Sequence, residues 1–85
     1  MKVTANRRLI LAREMRGWTQ AEVAAALGVS ELTVGRWERG NTFPHPYHRK
    51  KLCELFGKSE QELGVSRLQR RFSTLFSRST QHRYE

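Results

Sequence analysis

The sequence has little cysteine, proline or acidic charge, and it lacks a long hydrophobic run. Its single cysteine, Cys53, excludes an intramolecular disulfide and is typical of a reducing compartment. The longest mostly apolar segment, 23–29, contains three alanines and a glycine and is far shorter than the roughly 20 residues of a membrane-spanning helix. Residues 1–14 place only a few apolar positions before Arg13 and Glu14, so we expect no secretory signal and a cytoplasmic protein.

Acidic residues are outnumbered, because 8 Asp and Glu side chains stand against 16 Lys and Arg, for a net charge of +8. This excess favours a polyanionic partner, with nucleic acid ahead of an anionic membrane surface. A length of 85 residues predicts one small domain with a tail. The share of basic residues rises after Gly64, so we predict a domain over 1–64 and a basic tail over 65–85.

The tail carries apolar residues at helical spacing, namely Leu68, Phe72, Leu75 and Phe76. This pattern suits a dimerisation helix, a membrane-surface helix or the start of a linker to further domains. Its Ser, Thr and Arg content equally suits an end that is partly helical or disordered. The sequence leaves these alternatives open.

Capping and stop signals divide the first 64 residues into short helices, and no useful segment alternates apolar and polar residues as a strand does. Thr19 with Glu22, and Ser59 with Glu62, form two capping boxes, and Gly28 is a typical helix stop. The fold class predicted is all-α, with five helices over about 5–15, 20–27, 31–39, 46–56 and 60–63.

The second and third helices are joined by a three-residue turn, Gly28-Val29-Ser30. Gly28 tolerates the positive φ of such a turn, Val29 supplies an apolar plug beneath it, and Ala24 allows a close crossing. Val34 seats the third helix on the core and leaves residues 31, 32, 35 and 36 outside. A helix that projects in this way fits the major groove of duplex DNA.

These features together resemble the phage-repressor Cro/C1-type helix-turn-helix family, also called XRE, over about residues 5–64. The fold that the resemblance implies is the compact five-helix lambda-repressor-like domain. The tail after Gly64 has no counterpart in the family pattern. The residues that carry the resemblance are Leu9, Arg13, Gly17, Trp18, Thr19, Gln20, Val23, Ala24, Leu27, Gly28, Val29, Ser30, Thr33, Val34, Trp37, Glu38 and Gly40.

The resemblance implies roles for particular residues. Gln20 and Thr19 match positions that contact DNA phosphates, and Arg13 and Glu38 match a buried salt bridge between the first and third helices. Recognition-helix and loop positions complete the implied DNA-contacting set, which is Thr19, Gln20, Ser30, Glu31, Leu32, Thr33, Arg36, Asn41 and Thr42.

The base preference cannot be copied from the family, because Glu31 and Leu32 stand where many members carry Gln or another amide. A carboxylate at Glu31 accepts from cytosine N4 or repels phosphate, and Leu32 suits a thymine methyl. Arg36 is long enough to bind guanine O6 and N7 with both arms of its guanidinium.

Other residues favour structural interpretations. We expect no metal and no cofactor, because His45, His48 and Cys53 are too few for a zinc site. The run Arg49-Lys50-Lys51 suits a solvated face near phosphate, and Cys53 suits a small core position. The predicted core is Trp18, Val23, Leu27, Val34, Trp37, Leu52 and Leu55.

The sequence therefore predicts sequence-specific binding of duplex DNA by a prokaryotic transcriptional regulator that acts as a homodimer on DNA. We expect no enzymatic activity, because no catalytic triad, phosphate loop or paired carboxylates are recognisable. Two alternatives remain. One is a repressor-like adaptor head that binds protein, as the N-terminal module of a larger signalling protein, and the other is a membrane-surface function of the tail.

Overall fold

The computed structural model describes residues 4–66, and over this range the protein is all-helical, as predicted. Predictions for residues 67–85 lie outside the described residues. The four helices are α1 (Arg7–Met15), α2 (Gln20–Leu27), α3 (Glu31–Arg39) and α4 (Pro46–Phe56). In the described part of the chain, no helix is both long and apolar enough to span a bilayer.

The predicted fifth helix is only a single turn. Its capping box is present, since Ser59 N donates to Glu62 Oε1 at 2.8 Å and Glu62 N donates to Ser59 Oγ at 3.1 Å. The bond from the Ser59 amide lowers the pKa of the Glu62 carboxyl group. However, Val65 N already closes the turn on Glu60 O at 2.9 Å, with Gly64 in the left-handed conformation. The start and stop signals lie too close together for a second turn, so the predicted fifth helix does not form within residues 4–66.

Most of the predicted core is buried, but Trp18 and Leu55 are only half-buried. Trp18 lies at the edge of the core, where its ring centroid is 5.5 Å from that of Phe56 and the Arg16 guanidinium covers it at 5.0 Å. The core cluster consists of Leu9, Ala12, Val23, Ala24, Leu27, Val34, Trp37, Leu52, Phe56, Leu63 and Val65. The predicted boundary after Gly64 stays a prediction, although Val65 is fully buried and Ser66 is also buried.

The turn between α2 and α3 has the geometry that its residues predict. Gly28 adopts φ +74°, and Val29 N donates to Ala24 O at 3.0 Å, so the last turn of α2 is closed by a left-handed cap. Val29 is half-buried against the core cluster. Ser30 then caps α3, because its Oγ accepts from Thr33 N at 3.1 Å. The start of α3 is therefore fixed by the residue that precedes it.

Asn6 fixes the start of α1, which begins at Arg7 and not at about Ala5 as predicted. Its Oδ1 accepts from Leu9 N at 3.0 Å, which caps the helix. Its Nδ2 donates to the backbone carbonyls of Leu63 at 3.1 Å and Gly64 at 3.2 Å. One side chain thus joins the first helix to the last described turn.

Replacing Asn6 with alanine is expected to lower the free energy of unfolding by about 1 kcal/mol or somewhat more. The cap is lost, and the carbonyls of Leu63 and Gly64 lose their donor. Asn6→Asp is the matched control, because it keeps the acceptor for Leu9 N but has no N–H to donate. We expect its melting temperature to fall well below that of the wild type, because a carboxylate oxygen would then face the two carbonyl oxygens in place of a donor. An aspartate variant as stable as the wild type would show that the bonds to the two carbonyls do not stabilise the protein.

Candidate nucleic-acid interface

The exposed residues of α3 form one face of the helix. Leu32, Arg36 and Arg39 are all exposed, and their spacing of four and three residues places them along one side, with Glu31 exposed at the start of the helix. Leu32 is 56% exposed despite its apolar side chain. The face therefore offers one apolar group, one carboxylate and two guanidinium groups.

Two residues of this helix differ from the expectation. Gly35 was predicted to lie outside but is buried, because the Arg39 side chain folds back over it and Gln20 of α2 lies beside it. Arg39 was not among the predicted DNA contacts, although its spacing of seven residues from Leu32 is a signal that could have found it.

Hydroxyl groups mark the beginnings of α2 and α3. Thr19 Oγ1 accepts from Glu22 N at 3.0 Å, and Glu22 Oε1 accepts from Thr19 N at 2.8 Å, so the predicted capping box is present. At α3, the hydroxyl oxygens of Ser30 and Thr33 lie 2.9 Å apart. Within that pair one hydroxyl donates to the other, so the second hydroxyl still has a proton to donate. Thr19 keeps its hydroxyl proton as well, because its oxygen acts as an acceptor in the cap.

A buried carboxylate holds α3 against the rest of the domain. Glu38 is 3% exposed, and Arg13 of α1 donates to it through Nε at 2.6 Å and through Nη2 at 3.1 Å. Arg13 also donates through Nη1 to Trp18 O at 2.8 Å. The hydrogen bonds to Glu38 raise the pKa of the Arg13 guanidinium. The buried charge is therefore paired in a bidentate geometry, which is the arrangement that offsets its loss of hydration.

Gln20 is the second partner of this carboxylate and supplies its third hydrogen bond. Its Nε2 donates to Glu38 Oε1 at 2.9 Å, so one of its two N–H bonds lies inside the domain. The resemblance implies a phosphate contact together with a bracing role for this residue. The structure places the amide beside Glu38, where it links α2 to α3, and the second N–H is left for a further acceptor.

The loop after α3 brings Asn41 and Thr42 to the surface. Gly40 ends the helix at φ +81° and passes so close to the Thr4 carbonyl that a Cβ atom at this position would strike it. Asn41 N then donates to Arg36 O at 2.9 Å. Both Asn41 and Thr42 are exposed, so they lie beside the C-terminal end of the α3 face.

Arg49 has a structural position that the sequence did not indicate. It belongs to the run Arg49-Lys50-Lys51, for which the sequence predicts a solvated face, but it is buried. Its Nη1 donates to Pro44 O at 2.9 Å, its guanidinium lies 5.6 Å from the Phe43 ring, and its Nε is 3.6 Å from Glu60 Oε1. Arg49 therefore anchors the loop that follows α3 to α4. No local pattern distinguishes a buried arginine from the exposed Lys50 beside it.

The possible metal ligands are not brought together. Among residues 4–66, no three His, Cys, Asp or Glu side chains cluster as a metal site would need. His48 instead packs its ring against those of Trp37 and Tyr47, at 5.5 and 5.4 Å between centroids. Cys53 is half-buried against the core, and burial raises the pKa of its thiol, which disfavours the reactive thiolate.

A helix pair joined by a tight left-handed turn, with the second helix exposed along one face, defines a helix-turn-helix domain. A family model described as helix-turn-helix matches residues 9–63, and the chain belongs to this family, which is of the Cro/C1 (XRE) type. The family is one of DNA-binding regulators of transcription. Comparison with curated proteins and with solved structures gives no significant match.

Proposed function

We propose that this protein binds duplex DNA with sequence specificity, with α3 in the major groove, and regulates transcription in a prokaryotic cytoplasm. The observation that carries the proposal is the exposed face of α3, which is held by the hydrogen bonds of Arg13 and Gln20 to the buried Glu38. An α-helix with its side chains is about 10–12 Å across, and a major groove about 12 Å wide accepts such a helix.

Base recognition falls to the outward side chains of α3. Arg36 can bind both acceptors of a guanine, and Leu32 can pack on a thymine methyl. Glu31 can accept from cytosine N4, and its charge repels phosphate, which favours its placement over a base edge. Leu32 supports this assignment, because a leucine that is 56% exposed gains stability only when a partner covers it.

Phosphate contacts fall to the ends of the helices. Several hydrogen-bond donors and polar side chains surround the α3 face. They are the free hydroxyl protons at Thr19 and at the Ser30–Thr33 pair, the second amide proton of Gln20, and the exposed side chains of Asn41 and Thr42. Such contacts fix the register of the protein on DNA without reading the sequence. With a net charge of +8, they also make the affinity depend strongly on salt.

One copy of α3 reads too few base pairs for a specific site, so we propose that two copies bind a site of two-fold symmetry. Their recognition helices would enter successive major grooves about 34 Å apart.

A titration of random duplex DNA at two salt concentrations tests the class of function. We expect measurable binding that weakens steeply as salt rises. Little binding and little dependence on salt would instead favour the adaptor alternative, in which the exposed face of α3 binds a protein.

Replacing Gln20 with alanine is expected to weaken binding by a similar factor for every DNA sequence, because a phosphate contact carries no base information. The melting temperature without DNA should also fall, because Glu38 loses the donor at 2.9 Å. Gln61→Ala is the matched control, since Gln61 is an exposed glutamine in the turn after α4. An affinity loss confined to the preferred site would contradict a phosphate role for Gln20.

A further inference from the structure

An open cleft of about 290 Å³ lies between the start of α2 and the outward face of α3, and its lining residues are Gln20, Glu31, Leu32, Gly35 and Arg39. Gly35 is buried in the middle of α3. Glycine is a poor residue for a helix interior, because its backbone is too flexible in the unfolded chain. Its presence at the one lining position without a side chain therefore calls for a reason in the folded protein.

The reason lies in the space above Gly35. A Cβ atom at this position would lie 3.1 Å from Arg39 Nη1, 3.7 Å from Arg39 Cζ and 3.5 Å from Gln20 Oε1. The first distance is tighter than ordinary van der Waals contact, so a methyl group would push the guanidinium away. Glycine thus allows Arg39 to fold back by one helical turn toward the cleft that Gln20 also lines.

We propose that Arg39 and Gln20 together bind one backbone phosphate of duplex DNA, and we call this pair of side chains the seat. Gly35 is a positioning residue that leaves room for the Arg39 side chain in it. The proposal rests on the DNA-binding function proposed above and adds a contact that the resemblance did not assign. A guanidinium matches the geometry of a phosphate with two parallel N–H groups. The second N–H of Gln20 can donate to the same group, because only one is used by Glu38.

The seat separates the roles of the two exposed arginines of α3. Arg39 lines the cleft and faces α2, whereas Arg36 does not line it. Glu31 lines the cleft as well. Its backbone lies eight residues before that of Arg39, but the Arg39 guanidinium folds back over Gly35, which is four residues from Glu31, or about 6 Å along the helix axis. Because the Glu31 carboxylate lies at the N-terminal end of the cleft, we place the phosphate at the other end, beside Arg39.

Arg39→Ala tests the contact itself. We expect it to weaken binding about equally for all duplex sequences and to reduce the slope of log affinity against log salt by about 1. Arg7→Ala is the matched control, because it removes the same charge from an exposed position on α1, and we expect it to retain more of the affinity. A change in the ranking of base variants by Arg39→Ala would overturn the proposal, since Arg39 would then read bases.

Gly35→Ala tests the positioning role, with thermal unfolding measured beside DNA binding. Alanine suits a helix better than glycine and displaces only the flexible end of Arg39, so the melting temperature should stay equal or rise while affinity falls. In the Arg39→Ala background, Gly35→Ala should have no further effect on affinity.

Two results separate the failure of this inference from the failure of the proposed function. Wild-type affinity and salt slope in both Arg39→Ala and Gly35→Ala would overturn the seat and leave DNA binding intact. Absence of DNA binding by the wild type would overturn the proposed function and the seat with it. If Gly35→Ala lowers the melting temperature, the positioning role is wrong and Arg39→Ala alone decides the contact.

Discussion

Glu38→Gln is expected to lower the free energy of unfolding of the DNA-free protein by about 3–5 kcal/mol, which is a large fraction of the stability of a small domain. Glu38 is 3% exposed and accepts two bonds from Arg13 and one from Gln20. Glutamine removes the negative charge and leaves the Arg13 cation, whose side chain is 14% exposed, without a counterion. The measurement is thermal unfolding, and Glu54→Gln on the exposed face of α4 is the control for loss of one carboxylate.

The double variant Arg13→Met with Glu38→Leu should recover most of that loss, because the cost of burying charge disappears with the two charges. Recovery will be incomplete, since Trp18 O and Gln20 Nε2 each lose a partner that the pair supplies. The two single variants and the double variant form a cycle that isolates the interaction between the two side chains. Additive effects would mean that the observed pair does not stabilise the fold.

Arg36→Ala is expected to weaken binding to the preferred site by about 1–3 kcal/mol and to remove the preference at one base pair in each half-site. Arg36 is exposed on α3 beside Leu32 and outside the cleft that Arg39 lines. The measurement is a set of binding curves against all single-base variants of the site. Arg39→Ala is the matched control, because it removes an equal charge from the same helix while the ranking of bases should persist. An Arg36→Ala variant that keeps the wild-type ranking would contradict the assignment to a base.

The parts of the fold that local chemistry specifies were predictable. Four such features act within one turn of chain, so their effect can be predicted from neighbouring residues. They are the Thr19–Glu22 capping box, the left-handed Gly28, the Ser30 cap and Pro46 at the start of α4. The outward position of Leu32 and Arg36 follows equally from helical periodicity.

Contacts between distant residues were not predictable by the same means. Asn6 caps α1 but also binds carbonyls 57 and 58 residues away, and nothing near Asn6 in the chain indicates those partners. Arg49 is buried between the loop after α3 and Glu60, although it stands in a run of charges that reads as exposed. The turn at Ser59 shows a further limit, because its capping box forms but a closing turn follows at once.

The Arg13–Glu38 pair could be predicted only from the resemblance to the family, because 25 residues separate the two positions. The resemblance did not indicate how Gln20 joins the pair, nor that Gly35 makes room for Arg39. Both depend on the side-chain positions at the crossing of α2 and α3.

Selection of bound sequences from a random duplex library tests the central claim most directly. The account predicts one enriched site with two-fold symmetry, with half-site centres about one helical turn or a multiple of it apart. Selection with Arg36→Ala should relax one position in each half-site and leave the spacing unchanged. A library that stays random after selection, from a folded wild-type protein at low salt, would contradict sequence-specific recognition by α3.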